Sequence, residues 1–106
     1  MVDIEELQEM VTDFRDERDW KKYHNPRDLS ISISIESAEL LELFQWDNRF
    51  PDDVKRSRIE EEVADIFIYL LSLADVADID LEEAVKNKIE MNEEKYPKDD
   101  SRTKYF

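Results

Sequence analysis

The 106-residue chain contains no glycine, no cysteine, one histidine and three prolines. Without cysteine there is no disulfide framework and no thiolate chemistry. Without glycine there is no Gly-rich phosphate-cradling loop, and a turn-rich β fold is disfavoured. The one histidine, His24, falls in a loop, which gives a Ser-His-Asp arrangement little support. A ferritin-type di-iron bundle needs Glu-x-x-His on two helices, and no such pair is present. The longest apolar run, residues 66–71, is far too short to span a bilayer, and no signal peptide is visible, so the expected location is the cytoplasm. Basic residues are the minority, 15 against 29 acidic ones, for a net charge of −14. That balance argues against a nucleic-acid backbone or an anionic membrane as partner. A phosphate ligand would need metal ions or local Lys and Arg.

What is present is helical periodicity. Hydrophobic residues make up 41% and charged residues 42%, enough for one domain over residues 1–106 with a modest core. Asp3 and Glu6 read as a capping box opening a first helix, with Ile4, Leu7, Val11 and Phe14 on one face and the pattern running to about Tyr23. The segment His24-Asn25-Pro26-Arg27-Asp28 breaks it and restarts a helix, with Asn25 as N-cap, Pro26 at N1 and Asp28 at N3. Residues 31–35, I-S-I-S-I, alternate like a strand, but helical spacing through Phe44 outweighs five residues of alternation. After a second break at 47–51, Asp52 or Asp53 caps a third helix reaching about Ala77. Asp80 and Glu83 open a fourth, which Pro97 ends. The expectation is an all-α four-helix bundle with a polar tail at 98–106, and so much apolar surface on a small chain predicts self-association.

Four carboxylates stand out by position. On the second helix, Leu29, Ile33, Leu40, Leu43 and Phe44 form the apolar stripe, and Glu36 sits at its edge where a hydrophobe is called for. Glu39 lies about 60° further round. On the third helix, Ile59, Ile66, Leu70, Leu73 and Ala77 form the stripe, Glu62 interrupts it, and Asp65 lies about 60° to the same side. The bland reading places Glu36 and Glu62 outward at a bundle rim. The repeated offset on neighbouring helices favours a cluster of hard oxygen ligands, suited to Mg²⁺ or Mn²⁺.

On the fourth helix, Leu81, Val85, Lys88, Asn92 and Tyr96 follow one face. Lys88 there is either a snorkelling stem or, with Asn92, a holder for a phosphate chain beside the carboxylates. Phe14, Phe44 and Phe67 read as core. Trp20 and Trp46, near helix ends, are better placed to stack on a flat ligand.

These segments, W-K-K-Y-H-N-P-R-D-L, E-S-A-E-L-L-E-L-F-Q-W, E-E-V-A-D-I-F-I-Y-L-L, K-N-K-I-E-M-N-E-E-K-Y-P and the S-R-T-K-Y of the tail, cover most of the chain. Together they resemble the MazG-type all-α nucleotide pyrophosphohydrolases, and most closely the short single-domain branch that includes dCTP pyrophosphatase. The resemblance implies Mg²⁺ ligation by Glu36, Glu39, Glu62 and Asp65. It also implies a nucleotide pocket at Trp20, His24, Trp46, Tyr69, Lys88, Asn92 and Tyr96, and hydrolysis of a nucleoside triphosphate between its α and β phosphates. A homodimer or homotetramer is the state it implies. The longer MazG motif begins with two adjacent glutamates, whereas residue 35 here is Ile. The base for the attacking water is left between Glu61 and Glu39.

Two other readings compete. One is a non-catalytic helical interaction protein whose acidic face binds a partner. The other is a superfamily relative acting on a different pyrophosphate substrate, such as phosphoribosyl-ATP.

Overall fold

The computed structural model describes residues 1–49 and 52–98. They form α1 (Ile4–Glu17), a 3₁₀ turn (Lys21–Tyr23), α2 (Pro26–Glu42), α3 (Asp53–Val76) and α4 (Leu81–Lys95), with no strand among the described residues. Of the expected tail at 98–106, only Lys98 lies within them.

Each helix starts on a short polar side chain that satisfies an otherwise orphaned N–H group. Asp3 accepts from the Glu6 N–H at 2.8 Å, Asn25 from Asp28 at 2.9 Å, Asp52 from Lys55 at 2.9 Å and Asp80 from Glu83 at 3.1 Å. Residues 31–35 are helical, as the longer pattern requires.

The expected run of the first helix to about Tyr23 is corrected, because α1 stops at Glu17. Asp19 turns left-handed at φ 56°, and the Trp20 N–H bonds back to the Arg15 carbonyl at 3.1 Å. The end of α3 repeats this closure. Asp78 has φ 55°, and the Ile79 N–H reaches the Ala74 carbonyl at 2.8 Å. In both cases Asp occupies the left-handed C′ position that glycine usually takes, since its short polar side chain tolerates that conformation best among the residues available.

Helices α2 and α3 form an antiparallel hairpin, shown by two facing pairs: Glu36 beside Glu62, and the Lys55 ammonium 4.8 Å from the Phe44 ring centre. Helix α1 packs on α3 through polar ties. Gln8 Nε2 donates to the Leu71 carbonyl at 3.1 Å, and Arg15 Nη1 donates to Asp75 Oδ2 at 2.7 Å. Helix α4 touches the rest only lightly and contributes no buried residue.

Because α3 serves both neighbours, its deepest positions are Leu71, Ser72 and Ala74, joined by Leu29 from α2. The expected α3 stripe is therefore corrected at its end: Leu70 and Ala77 are exposed. Phe14 is corrected too. It is 51% exposed, its ring edge-on to Trp20 at 5.8 Å under the Arg18 guanidinium, rather than in the core. Ile31, Ile35 and Leu41 also face outward along α2, as do Val63 on α3 and Val85 and Ile89 on α4.

Candidate metal centre

Helix α2 brings Glu36, and α3 brings Glu62 and Asp65, to one place. One carboxylate oxygen from each lies within 4.8 Å of the other two. The cause is local: Glu36 and Glu62 occupy positions of the apolar stripes, so packing the hairpin presses their carboxyl groups together. Glu36 Oε2 and Glu62 Oε2 are both shut off from solvent without a hydrogen-bond partner. Among the described residues, no Lys or Arg forms an ion pair with any of the three.

Such crowding is unfavourable for ionised groups. The Glu36 carboxyl is pushed up to about 7, first by the facing Glu62 carboxyl, then by burial, then by Glu39 at its side. Three convergent carboxylates, two of them with an orphaned buried oxygen and none in an ion pair with a Lys or Arg among the described residues, fit a divalent cation such as Mg²⁺ or Mn²⁺. Glu39 stands next to Glu36 on the exposed side of α2, and its oxygens are not among the three that converge. Glu61 is exposed on α3 beside Glu62.

The remaining candidates are spread over the molecule. Trp46 is 90% exposed in the turn after α2 and lines a concavity of about 680 Å³ with Phe44, Gln45 and Arg49. Lys88 and Asn92 line a separate one of about 430 Å³ on α4. Tyr96 caps that helix, its N–H donating to the Asn92 carbonyl at 2.7 Å. Tyr69 is half-buried on α3. Trp20 and His24 flank the 3₁₀ turn after α1, and His24 Nδ1 is buried without a hydrogen-bond partner. Burial holds the His24 imidazole below its ordinary pKa, with Arg15 acting in the same direction and Asp75 against it. Among the described residues, then, Glu36, Glu62 and Asp65 converge, while Trp46 on one side and Lys88 with Asn92 on another line two separate concavities.

Sequence reasoning passed over Arg15 and Asp75. Arg15 is only 4% exposed and bridges α1 to α3. The signal was available: Arg15 follows Ile4 and Val11 at helical spacing, so a charge stands where the apolar stripe of α1 would continue.

A model of the MazG-like family matches residues 31–105, the span that contains all four carboxylates. The chain belongs to the MazG-like family. Among curated relatives, this MazG-like chain is 36% identical over 101 residues to dCTP pyrophosphatase 1 of Mus musculus and 35% identical over 100 residues to that of Homo sapiens. Both alignments take in 89% of this chain, but the chain spans only 59% of the length of those relatives. A crystal structure of a pyrophosphatase from Archaeoglobus fulgidus superposes with a TM-score of 0.79 at 54% identity, covering 89% of this chain and 92% of that one.

Proposed function

We propose that the chain is a divalent-cation-dependent nucleoside triphosphate pyrophosphohydrolase, acting on dCTP or a related or modified dNTP. The observation that carries this reading is the meeting of Glu36, Glu62 and Asp65 with two buried, unpartnered oxygens. An acidic face meant for a protein partner has no reason to place carboxylates inside an apolar stripe, where each costs stability. The named relatives, a family of dCTP pyrophosphatases and an archaeal pyrophosphatase, support the same reaction class.

Glu36, Glu62 and Asp65 hold the cation, with Glu39 beside Glu36 completing the set. When bound, Mg²⁺ supplies positive charge that offsets both the carboxylates and the substrate phosphates, which a chain of net charge −14 cannot do alone. A water oxygen bonds to the α phosphorus while the bond from that phosphorus to the α–β bridging oxygen breaks. The bridging oxygen keeps the electron pair and leaves with pyrophosphate. Glu61 or Glu39 takes the proton from the water. Trp20, His24, Trp46 and Tyr69 contact the base and sugar, and Lys88, Asn92 and Tyr96 the sugar and phosphates.

A second copy of the chain completes this arrangement. The accessible surface is 8,899 Å², against about 6,300 Å² for a compact monomer of this mass. Ile31, Ile35 and Leu41 on α2 and Val85 and Ile89 on α4 are among the apolar residues left uncovered. Burying them in a dimer or tetramer closes the helices into bundles and gives the dispersed aromatic groups a neighbour. No described helix is long and apolar enough to cross a membrane. The activity belongs in the cytoplasm, where the nucleotide pool is, and nucleic acid is not a partner.

The test is product analysis with a panel of dNTPs, NTPs and modified bases, in Mg²⁺ and then in EDTA. Metal-dependent release of pyrophosphate with the monophosphate supports the proposal. Release of single phosphate contradicts the cleavage position. No turnover by folded, metal-loaded protein favours the interaction-protein reading.

A further inference from the structure

Arg15 links two parts of the molecule that carry separate groups of candidate site residues. Its guanidinium donates through Nη1 to Asp75 Oδ2 at 2.7 Å and through Nε to Asp16 Oδ1 at 2.9 Å. Its carbonyl accepts the N–H groups of Trp20 at 3.1 Å and Arg18 at 3.2 Å. From Trp20 the chain makes one 3₁₀ turn and reaches His24, whose own N–H bonds the Lys21 carbonyl at 2.9 Å. One residue is thus bonded by its backbone to the segment bearing Trp20 and His24, and by its side chain to the helix bearing Glu62 and Asp65.

An ion pair with one buried partner, like Arg15 with the half-buried Asp75, is a poor source of stability, since well-packed apolar residues in its place are often neutral or better. What apolar residues cannot supply is a fixed, directional tie. We propose that Arg15 and Asp75 are positioning residues, whose ion pair fixes the 18–24 segment against α3 and so sets where Trp20 and His24 meet the nucleotide. This inference rests on the reading above that Trp20 and His24 contact the substrate.

The charges acting on the His24 ring are Arg15 from α1 and Asp75 from α3. They act in opposite senses, so removing each moves the imidazole pKa in opposite directions. Loss of Arg15 raises it and loss of Asp75 lowers it. The opposed shifts test whether both partners of the pair face the His24 ring.

Three measurements test the proposal on the full chain in Mg²⁺. The double substitution Arg15→Met with Asp75→Leu removes both charges together and keeps the protein folded, checked by circular dichroism. Its KM for dCTP rises by about tenfold or more while kcat stays within about threefold. Arg15→Lys, which keeps the charge, recovers part of the loss. The chain has one histidine, so NMR gives a single imidazole titration to follow. Its pKa moves up in Arg15→Met and down in Asp75→Asn. Wild-type KM in the folded double variant, or an unmoved His24 titration in both single variants, overturns the inference and leaves the proposed function standing. Absence of turnover in the wild type overturns the proposed function, and this inference with it.

Discussion

Glu36 and Glu62 face each other between α2 and α3, and each ends in a buried oxygen with no hydrogen-bond partner. In the metal-free protein this contact is unfavourable, and a cation reverses its sign. Glu62→Gln therefore raises metal-free stability by about 0.5–2 kcal/mol, because an amide N–H replaces a like charge beside Glu36. The same change lowers pyrophosphate release by about a thousandfold or more, on the scale of losing a metal ligand and its charge. Thermal melts in EDTA and steady-state assays in Mg²⁺ check the two halves, and stability and activity falling together would contradict the account.

The pH dependence of metal-free stability follows from the same pair. The Glu36 carboxyl is raised from its ordinary 4.5 to about 7 in the folded chain. Between those values the native state holds a proton that the unfolded state has lost, so the Glu36 contribution is full below pH 4.5 and fades as pH rises through 7. His24 runs the other way: its lowered pKa gives a contribution present above 6.5 that is lost as pH falls. The two separate by difference. In EDTA, the stability of wild type minus that of Glu36→Gln declines from pH 4.5 to above 7, and a flat difference would exclude the raised Glu36 pKa.

Asp19 and Asp78 adopt φ of 56° and 55°, a conformation that costs a non-glycine residue roughly 1 kcal/mol. Replacing either with Gly relieves that strain, partly offset by the greater freedom of glycine in the unfolded chain. The net expectation is a gain of up to about 0.5 kcal/mol, or a few degrees in melting temperature for a chain of this size. Asp53→Gly, inside the first turn of α3, is the contrasting control and destabilises.

These closures also show where the sequence was legible and where it was not. Helix starts could be read because a cap is a local bond between a side chain and an N–H three residues on, as at Asp3, Asn25, Asp52 and Asp80. The end of α1 could not, because the usual glycine signal is missing and Asp19 looks like any surface acid. Glu36 and Glu62 were legible because each interrupts an apolar stripe. Glu39 and Asp65 looked equivalent on the helical wheel, yet only Asp65 joins the convergent oxygens. That difference depends on how α2 and α3 are rotated against each other, which spacing within one helix does not encode. Likewise the face of α4 with Lys88 and Asn92 was readable, but not its light packing on the rest of the chain.

Ile35 is 53% exposed and Leu41 68% exposed on the same helix, and both are covered in the proposed assembly. Sedimentation of the wild type gives a mass of two or four times 12.8 kDa. Substituting Ile35→Glu with Leu41→Glu places charges on that face and shifts the mass toward a single chain. A wild type that sediments as one chain at micromolar concentration would contradict the assembly.

The most direct test of the central claim is Mn²⁺ binding followed by electron paramagnetic resonance, because it reads the carboxylate site without depending on any substrate. The wild type depletes the free Mn²⁺ signal, Mg²⁺ restores it by competition, and Glu36→Gln and Glu62→Gln each weaken binding by about 10- to 100-fold or more. Mn²⁺ binding that is unchanged in both variants would show that Glu36, Glu62 and Asp65 are not a metal centre.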